Sequence, residues 1–252
     1  MKKIGFFDSG MGGISVLREA VKEMPEENYI YYGDSANAPY GTKSNQEIFN
    51  LTMMGIDYLI KQDLKALVIA CNTATSIAID EIRNRLEIPV ISMEPAIKPA
   101  LEKVKGNVLV MATPATLNQK RYLDLVDHLG HSDRLINCPC HKLAGLIEQH
   151  LYNNQAIIKD YLLEIISPYI SQIDAIVLGC THYVFIKELI QELFPDICIF
   201  DGNHGTVMRL KRVLEEKSLK EPEGKKGTVV LDSSADDQFT LKTFAWLLNY
   251  QK

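Results

Sequence analysis

The sequence predicts an α/β fold built from two similar halves, and three observations support that prediction. Short apolar runs alternate with segments of helical periodicity from one end of the chain to the other, a pattern typical of mostly parallel sheets covered by helices. Two stretches, one in each half, resemble each other in the order strand, cysteine, polar turn and helix. The chain has 252 residues, of which 46% are hydrophobic, enough for one large domain or two small ones.

Nine apolar runs are predicted strands, in chain order KIGFFD, NYIYYGD, LKALVIAC, IPVIS, NVLVMAT, LINCPC, DAIVLGC, ICIFDG and GTVVLDS. Segments with apolar residues at helical spacing fall between them: SVLREAVKEM, NQEIFNLTMMGIDYLIKQ, ATSIAIDEIRNRLE, LNQKRYLDLVDHL, YLLEIISPYI, VFIKELIQELF, TVMRLKRVLEE and TLKTFAWLLNY. Helical segments between strands leave room for parallel connections, so we expect a parallel or mostly parallel arrangement.

The internal similarity centres on two cysteines. The stretch LKALVIACNTATS places Cys71 after an apolar run and before Asn72, and IDAIVLGCTHYVF places Cys180 before Thr181 in the same way. The two cysteines are 109 residues apart (180 − 71), close to half the chain. Ligands of open α/β sheets bind beyond the carboxyl ends of the strands. If the halves face each other, the two sulfurs face each other across the cleft between them.

Composition excludes several functional classes. The formal net charge is −5 and no long basic run occurs, which argues against nucleic acid as the main partner. No stretch reaches 18 consecutive apolar residues, and the apolar segment at the N-terminus is too short for a signal peptide. We therefore expect a cytoplasmic protein without a membrane partner. Five cysteines at irregular spacing make a poor disulfide framework, so we expect free thiols.

Two facing thiols suit a reaction that removes a proton from one face of a carbon and returns a proton to the other, which is racemisation or epimerisation. A thiol acts as base when ionised and as acid when protonated. Each cysteine precedes a helical pattern, and a helix N-terminus favours the thiolate. Donors that could hold a carboxylate are Asn72, Thr73 and Thr181, and Asp8 and His182 are candidates to assist the proton transfers.

Other functions compete with this one. Cys180 and His182, oriented by Asp8 or Glu148, could form the nucleophile and base of a thiol hydrolase, although this leaves Cys71 without a role. A two-lobed module that binds an amino acid without turning it over is a third possibility. A single cysteine after a strand is commonly a small core residue, but the paired setting favours function.

Cofactor and metal motifs are weak. The run DSGMGG follows a strand and opens a helix, with Asp34 ending the next strand as in a dinucleotide site, but Ser15 stands where the third glycine of G-x-G-x-x-G belongs. The run CPCH at 138–141 lacks a second ligand pair at suitable spacing, so we expect no metal. No lysine lies in a recognisable pyridoxal phosphate setting, so we expect no cofactor.

Four motifs, FDSGMGG, GDSANAPYG, ACNTATS and LGCTHY, occur in an order that resembles the glutamate racemase family of the aspartate/glutamate racemase superfamily, and the resemblance extends to the FDGN turn at Asp201. It implies two α/β domains with pseudo-twofold symmetry, Cys71 and Cys180 as the catalytic acid/base pair, glutamate as substrate, and D-glutamate for peptidoglycan as product. The residues it implies around the substrate are Asp8, Ser9, Tyr40, Gly41, Asn72, Thr73, Thr113, Thr181 and His182.

The family's C-terminal segment returns to its first domain, so we expect a first domain of residues 1–95 plus 207–252 and a second of 96–206. The family is often dimeric, which makes a homodimer an expectation. Departures from its pattern are small: Val184 replaces a frequent proline, and the CPCHKLAGLIEQH region matches only loosely, so an assisting role for Glu148 is a guess. The main alternative within the superfamily is a racemase of aspartate or another acidic amino acid.

Overall fold

The computed structural model describes residues 2–151, 154–222 and 224–249. All nine predicted strands are present, and the α/β fold class is confirmed. The strands are β1 (Lys3–Asp8), β2 (Tyr29–Gly33), β3 (Leu64–Ile69), β4 (Val90–Ser92), β5 (Asn107–Ala112), β6 (Leu135–Pro139), β7 (Ile173–Leu178), β8 (Cys198–Asp201) and β9 (Val229–Ser233).

Eleven α-helices occur within the described residues: α1 (Ile14–Glu23), α2 (Asn45–Leu59), α3 (Asn72–Arg85), α4 (Ile97–Lys103), α5 (Pro114–Leu117), α6 (Lys120–Leu129), α7 (Leu143–His150), α8 (Gln155–Ile166), α9 (Lys187–Leu193), α10 (Asn203–Glu216) and α11 (Gln238–Asn249). Helices α4 and α7, and α5 except for its last residue, were not among the predicted helical segments. Each has at most eight residues, and Pro99 in α4 and Gly145 in α7 weaken the helical signal. Tyr250, the last residue of the predicted final helix, lies outside the described residues.

The strands form two parallel sheets of matching topology. The first has the order β4-β3-β1-β2-β9 and the second has the order β6-β5-β7-β8, with every pair parallel. If β9 is left aside, β1 to β4 correspond to β5 to β8 in chain order and in position. Even the irregular register recurs, between Lys3 and Ile4 of β1 and between Asn107 and Val108 of β5. The predicted similarity of the two halves is therefore present in the backbone.

Helices cover both faces of each sheet, and the central strands are accordingly buried along nearly their whole length. All six residues of β3 are buried, as are five of the six in β1 and in β7. A strand buried on both faces must be apolar on both, which is why these strands read as continuous apolar runs. None of the described helices is both long enough and apolar enough to span a bilayer.

The C-terminal segment returns to the first sheet. Strand β9 pairs with β2, and the Nζ atom of Lys65, at the start of the first sheet's β3, lies 2.7 Å from a carboxylate oxygen of Glu27 and 2.9 Å from one of Glu221. Lys65 and Glu27 are buried, and such charges are stable only when paired. The predicted domain limits at 95/96 and 206/207 stay a prediction; the second falls inside α10.

Candidate active site

The carboxyl ends of four strands bring the predicted site residues together. Asp8 ends β1, Thr113 follows β5, and Cys71 and Cys180 come two residues after β3 and β7. Several hydrogen bonds join the two halves at this point, and two of them connect predicted site residues. Thr181 donates to Oδ2 of Asp8 over 3.0 Å, and the hydroxyls of Thr73 and Thr113 lie 3.0 Å apart. The two sets of strand ends therefore face each other, with both thiols between them.

Cys71 is the N-cap of α3, with its thiol held by backbone and hydroxyl groups. Its Sγ accepts a hydrogen bond from the backbone N–H of Ala74 at 3.4 Å and lies 3.4 Å from Oγ of Ser9. Burial raises the pKa of the Cys71 thiol to about 12, with the negative charge of Asp8 acting in the same direction and the Ser9 and Ala74 hydrogen bonds opposing it. Cys71 is therefore a protonated thiol at neutral pH.

Cys180 has different neighbours. The helical segment predicted after it begins as a 3₁₀ helix, Thr181–Ile186, which leads into α9 at Lys187. Its side chain makes no capping hydrogen bond. Instead, Sγ lies 3.7 Å from Nδ1 of His182. The tighter turn brings the side chain of residue 182 back beside the sulfur, and an imidazole takes the place of the helix amide.

His182 and Glu148 form a buried pair behind Cys180. Nε2 of His182 lies 2.7 Å from Oε1 of Glu148, and the same oxygen accepts a hydrogen bond from the backbone N–H of Met11 at 3.0 Å. Burial by itself lowers the pKa of His182, but hydrogen bonds and charge interactions with Cys180 and Glu148 outweigh it and raise the pKa well above its usual value. The pair thus favours a positive imidazolium next to the Cys180 sulfur.

Asp8 is completely buried at the end of β1, and its charge acts on the Cys71 thiol. Its Oδ1 accepts from the backbone N–H of Gly10 at 3.0 Å, and its Oδ2 accepts from Thr181. Burial raises its pKa to about 6, while the positive charge of His182 and these two hydrogen bonds limit the rise. A carboxylate in this position can balance a positive charge on a ligand, such as an ammonium group.

The glycine-rich turn after β1 packs directly on these groups. A β-carbon on Gly12 would lie 2.3 Å from Oγ1 of Thr181 and 2.5 Å from Nδ1 of His182, and one on Gly10 would lie 2.2 Å from Oε1 of Glu148. These glycines therefore serve close packing of the two halves. The sequence raised nucleotide binding as a possible role for these glycines. Their close contacts with Thr181, His182 and Glu148 show that packing requires them instead.

The second predicted motif forms one wall of the site. The Tyr40 hydroxyl donates to Oδ2 of Asp34 at 2.5 Å, and Asn37 donates to Oδ1 of the same carboxylate at 2.9 Å. A β-carbon on Gly41 would lie 2.8 Å from Thr113, so the wall touches the second sheet. Asp34, whose position resembles that of the acidic residue in a dinucleotide site, accepts hydrogen bonds from Tyr40 and Asn37 and so holds this loop.

A small group of polar side chains lies beside Cys71. The hydroxyls of Thr73, Thr113 and Thr116 are mutually within 3.0–3.3 Å, and Thr113 caps α5. Both polar atoms of the Asn72 side chain are buried and have no partner among the described residues. Since unpaired buried amides are costly, Asn72 is available to a ligand. Thr116 was missed in the sequence because its role depends on contact with Thr73, 43 residues away.

Every predicted site residue therefore lies in or against one buried cluster, and Glu148, a guess in the sequence, belongs to it. Elsewhere, three ligand atoms from Glu19, Glu23 and His204 lie within 4.8 Å of one another on α1 and α10. Exposed carboxylates often form such groups without a metal. The cluster between the sheets combines two thiols, an imidazole, carboxylates and hydrogen-bond donors, which is a set of side chains suited to acid/base chemistry.

Comparison with known proteins identifies the family. Residues 11–210 match the family described as Asp/Glu/Hydantoin racemase, and the chain belongs to it. A glutamate racemase of Clostridium perfringens is 48% identical over 243 residues, covering 95% of this chain and 93% of that protein. The protein is thus a racemase, an isomerase, and the hydrolase and binding-module readings are set aside.

Solved structures agree with this assignment. The glutamate racemase RacE1 of Bacillus anthracis matches with a TM-score of 0.88 and 28% identity, over 99% of this chain and 95% of that one. The Francisella tularensis glutamate racemase in complex with D-glutamate matches with a TM-score of 0.85 and 30% identity, over 99% and 94% of the two chains.

Proposed function

We propose that this racemase interconverts L- and D-glutamate by two-base proton transfer between Cys71 and Cys180, without metal or coenzyme. The observation that carries the proposal is the placement of two buried thiols at equivalent strand ends of two matching parallel sheets. The substrate preference is supported by the relatives, which are named glutamate racemases, one of them in complex with D-glutamate.

In each direction one sulfur, as thiolate, removes the α-proton, and the opposite sulfur, as thiol, returns a proton to the other face. The carbanion between these steps carries its negative charge next to the α-carboxylate. Donors near Cys71, namely Asn72, Thr73 and Thr113, would hold that carboxylate, and Asp8 would balance the substrate ammonium. Stabilisation of charge that develops during the reaction is the main source of rate enhancement in such sites. The protonation states of the two thiols are exchanged after each turnover.

The roles of the other residues follow from their contacts. His182, held by Glu148, would stabilise the Cys180 thiolate and accept or return its proton. Ser9 would stabilise the Cys71 thiolate through its hydrogen bond. Tyr40 and Gly41 would form the wall against the substrate side chain, and Thr181 would orient Asp8. Each assignment is part of the proposal.

The test follows the α-proton signal of L-glutamate and of L-aspartate by NMR in deuterated water, together with optical rotation, in the presence of a chelator and without added coenzyme. We expect exchange and racemisation of glutamate, and loss of at least about a thousandfold in Cys71→Ser and Cys180→Ser. Cys198→Ser is the matched control, because Cys198 is exposed on β8. A fully active Cys71→Ser or Cys180→Ser variant would contradict the mechanism. Exchange of aspartate but not of glutamate would show that the substrate is aspartate.

We also propose that the enzyme supplies D-glutamate for peptidoglycan in the cytoplasm and that it forms a homodimer. The resemblance to the glutamate racemase family supports both statements. Rescue of a racemase-deficient bacterium without external D-glutamate tests the first, and sedimentation equilibrium tests the second.

A further inference from the structure

Tyr31 is a buried phenol whose hydroxyl points at the turn after β1. It lies on β2, is 0% exposed, and donates a hydrogen bond of 2.6 Å to the carbonyl oxygen of Gly10. The ring of Phe244, on the C-terminal helix α11, packs edge-on against it with centroids 5.2 Å apart. Burial raises the pKa of Tyr31 well above its usual value, so the phenol stays protonated and acts as the donor in this bond.

The carbonyl that Tyr31 holds belongs to the same peptide group as the N–H of Met11. That N–H donates to Oε1 of Glu148 at 3.0 Å, and the same Oε1 lies 2.7 Å from Nε2 of His182. Nδ1 of His182 lies 3.7 Å from the Cys180 sulfur. An unbroken series of polar contacts therefore runs from Tyr31, through one peptide group, to Cys180.

A planar trans peptide fixes its C=O and N–H in opposite directions. Fixing the carbonyl on one side consequently fixes the direction of the N–H on the other, and hydrogen bonds in series polarise one another. The peptide is also tightly enclosed. A β-carbon on Gly33 would lie 2.5 Å from the Gly10 oxygen, and one on Gly10 would lie 2.2 Å from Oε1 of Glu148.

We propose that Tyr31 is a positioning residue for the reaction: through the Gly10–Met11 peptide it orients Glu148 and His182, and so sets the proton transfer at Cys180. The inference deepens the proposed function and rests on it for its kinetic consequences. Cys71 has no hydrogen bond to this peptide among those described, and its own hydrogen-bond partners are Ser9 and Ala74. Its charge acts on the buried Tyr31 phenol, which stays protonated, whereas the hydrogen bonds of Tyr31 lead to His182 and Cys180. The effect of the Tyr31 hydroxyl as a donor is therefore expected mainly on the Cys180 half of the reaction.

The matched pair of variants is Tyr31→Phe and Tyr29→Phe. Tyr29 lies on the same strand, is 1% exposed, and donates to the carbonyl oxygens of Ala20 at 3.0 Å and Met24 at 2.8 Å, at the far end of α1. Both substitutions remove one buried hydroxyl that bonds to backbone, so similar losses of stability are expected. We expect kcat to fall about tenfold in Tyr31→Phe with KM within about twofold, and to stay within about twofold of wild type in Tyr29→Phe.

Isotope effects distinguish positioning from general loosening. Because the two enantiomers are equally stable, kcat/KM must be the same in both directions. The α-deuterium isotope effect can still differ, because in each direction it reports how far deprotonation of the starting enantiomer limits the rate. We expect Tyr31→Phe to raise this effect more for the enantiomer that Cys180 deprotonates. An equal rise for both enantiomers, or a kcat no lower than that of Tyr29→Phe, would overturn the proposal.

A measurement independent of catalysis completes the test. The ¹⁵N NMR signal of Nε2 in His182 reports its contact with Glu148, and we expect it to shift in Tyr31→Phe but not in Tyr29→Phe. If wild-type protein fails to racemise glutamate, the proposed function fails while this signal still decides the role of Tyr31. If Tyr31→Phe does not fold, Phe244→Leu, which keeps the hydroxyl but loosens its ring, should produce a shift in the same direction; an unchanged His182 signal would overturn the inference.

Discussion

Cys71 and Cys180 occupy equivalent places in two matching sheets, yet the protein surrounds them with different chemistry. Cys71 caps a 14-residue α-helix and is supported by a backbone amide and a serine hydroxyl. Cys180 precedes a 3₁₀ helix and is supported by the His182 imidazole, which Glu148 holds in turn. Similar backbone topology therefore supplies the symmetry of the site, and individual side chains make its two halves unequal.

The two thiols also differ in the charges that surround them. Both thiols are almost equally hidden, at 6% and 8% exposure, so access to water does not distinguish them. Their neighbours do: the Asp8 carboxylate adds to burial in raising the pKa of Cys71, against the hydrogen bonds of Ser9 and Ala74, whereas Cys180 lies beside the positive imidazolium of His182. One thiol thus has a negative neighbour and the other a positive one.

The largest expected effect comes from damaging the Cys180 half alone. In Gly12→Ala the new methyl group overlaps the side chains of Thr181 and His182, which must move away, and we expect kcat/KM to fall about a thousandfold. Circular dichroism and urea denaturation of Gly12→Ala separate this effect from a general loss of the fold. Gly205→Ala is the control, because Gly205 lies in α10 and a β-carbon added there meets no neighbouring group within 4 Å. This variant should keep full activity and gain about 0.5–1 kcal/mol of stability. Equal activity of the two variants would contradict the packing argument.

The carboxylate between the two halves should produce a pH-dependent stability. Asp8 has a pKa of about 6 in the folded protein against 3.8 for an unperturbed group, so the folded state binds its proton more tightly. Its contribution is fully present below about pH 4 and is lost as the pH rises through 6. Each tenfold change in proton affinity corresponds to about 1.4 kcal/mol, which gives a loss of about 3 kcal/mol.

Urea denaturation of wild-type protein and Asp8→Asn at pH 4, 5.5 and 7 measures this loss. As the pH rises across the series, the free energy of unfolding of the wild type should fall relative to that of Asp8→Asn. Parallel curves for the two proteins would show that Asp8 does not titrate in this window.

The supporting side chains should matter unequally. We expect His182→Gln to lower kcat about a hundredfold, since it removes the imidazole that lies 3.7 Å from the Cys180 sulfur, and Ser9→Ala to lower it about tenfold, since Cys71 keeps its backbone donor. Steady-state kinetics in both directions measures these losses. His204→Gln is the control, because His204 also pairs with a carboxylate, Glu19, but is exposed on α10. A larger loss for Ser9→Ala than for His182→Gln would reverse the comparison.

The smallest expected effect is a difference in thiol reactivity. At pH 7.5 and without substrate, we expect iodoacetamide to modify Cys180 about ten times faster than Cys71, because burial and the Asp8 carboxylate raise the pKa of Cys71 to about 12 and leave it almost no thiolate. Mass spectrometry of the separate peptides measures both rates, and denatured protein, in which the rates should converge, is the control. Faster modification of Cys71 would contradict the comparison of the two thiols.

Much of the architecture could be predicted from the sequence because it depends on local pattern. Alternating apolar runs and helical segments predict all nine strands, and the repeated strand–cysteine–polar pattern predicts that Cys71 and Cys180 occupy equivalent strand ends. The structure brings the polar residues implied by the motif resemblance together in one region, and their roles stay predictions.

What the sequence determined by itself is the order of the elements and the kinds of side chain at the strand ends, since periodicity and turn chemistry act over a few residues. Only the tertiary structure decided which of those side chains meet: Glu148 with His182, Ser9 with Cys71, Thr73 with Thr113. It also decided that a 3₁₀ helix follows Cys180 and that burial raises the pKa of Cys71 and of Asp8. These properties depend on the closeness of segments far apart in the chain and on the exclusion of water between two packed sheets, and no local pattern encodes either one.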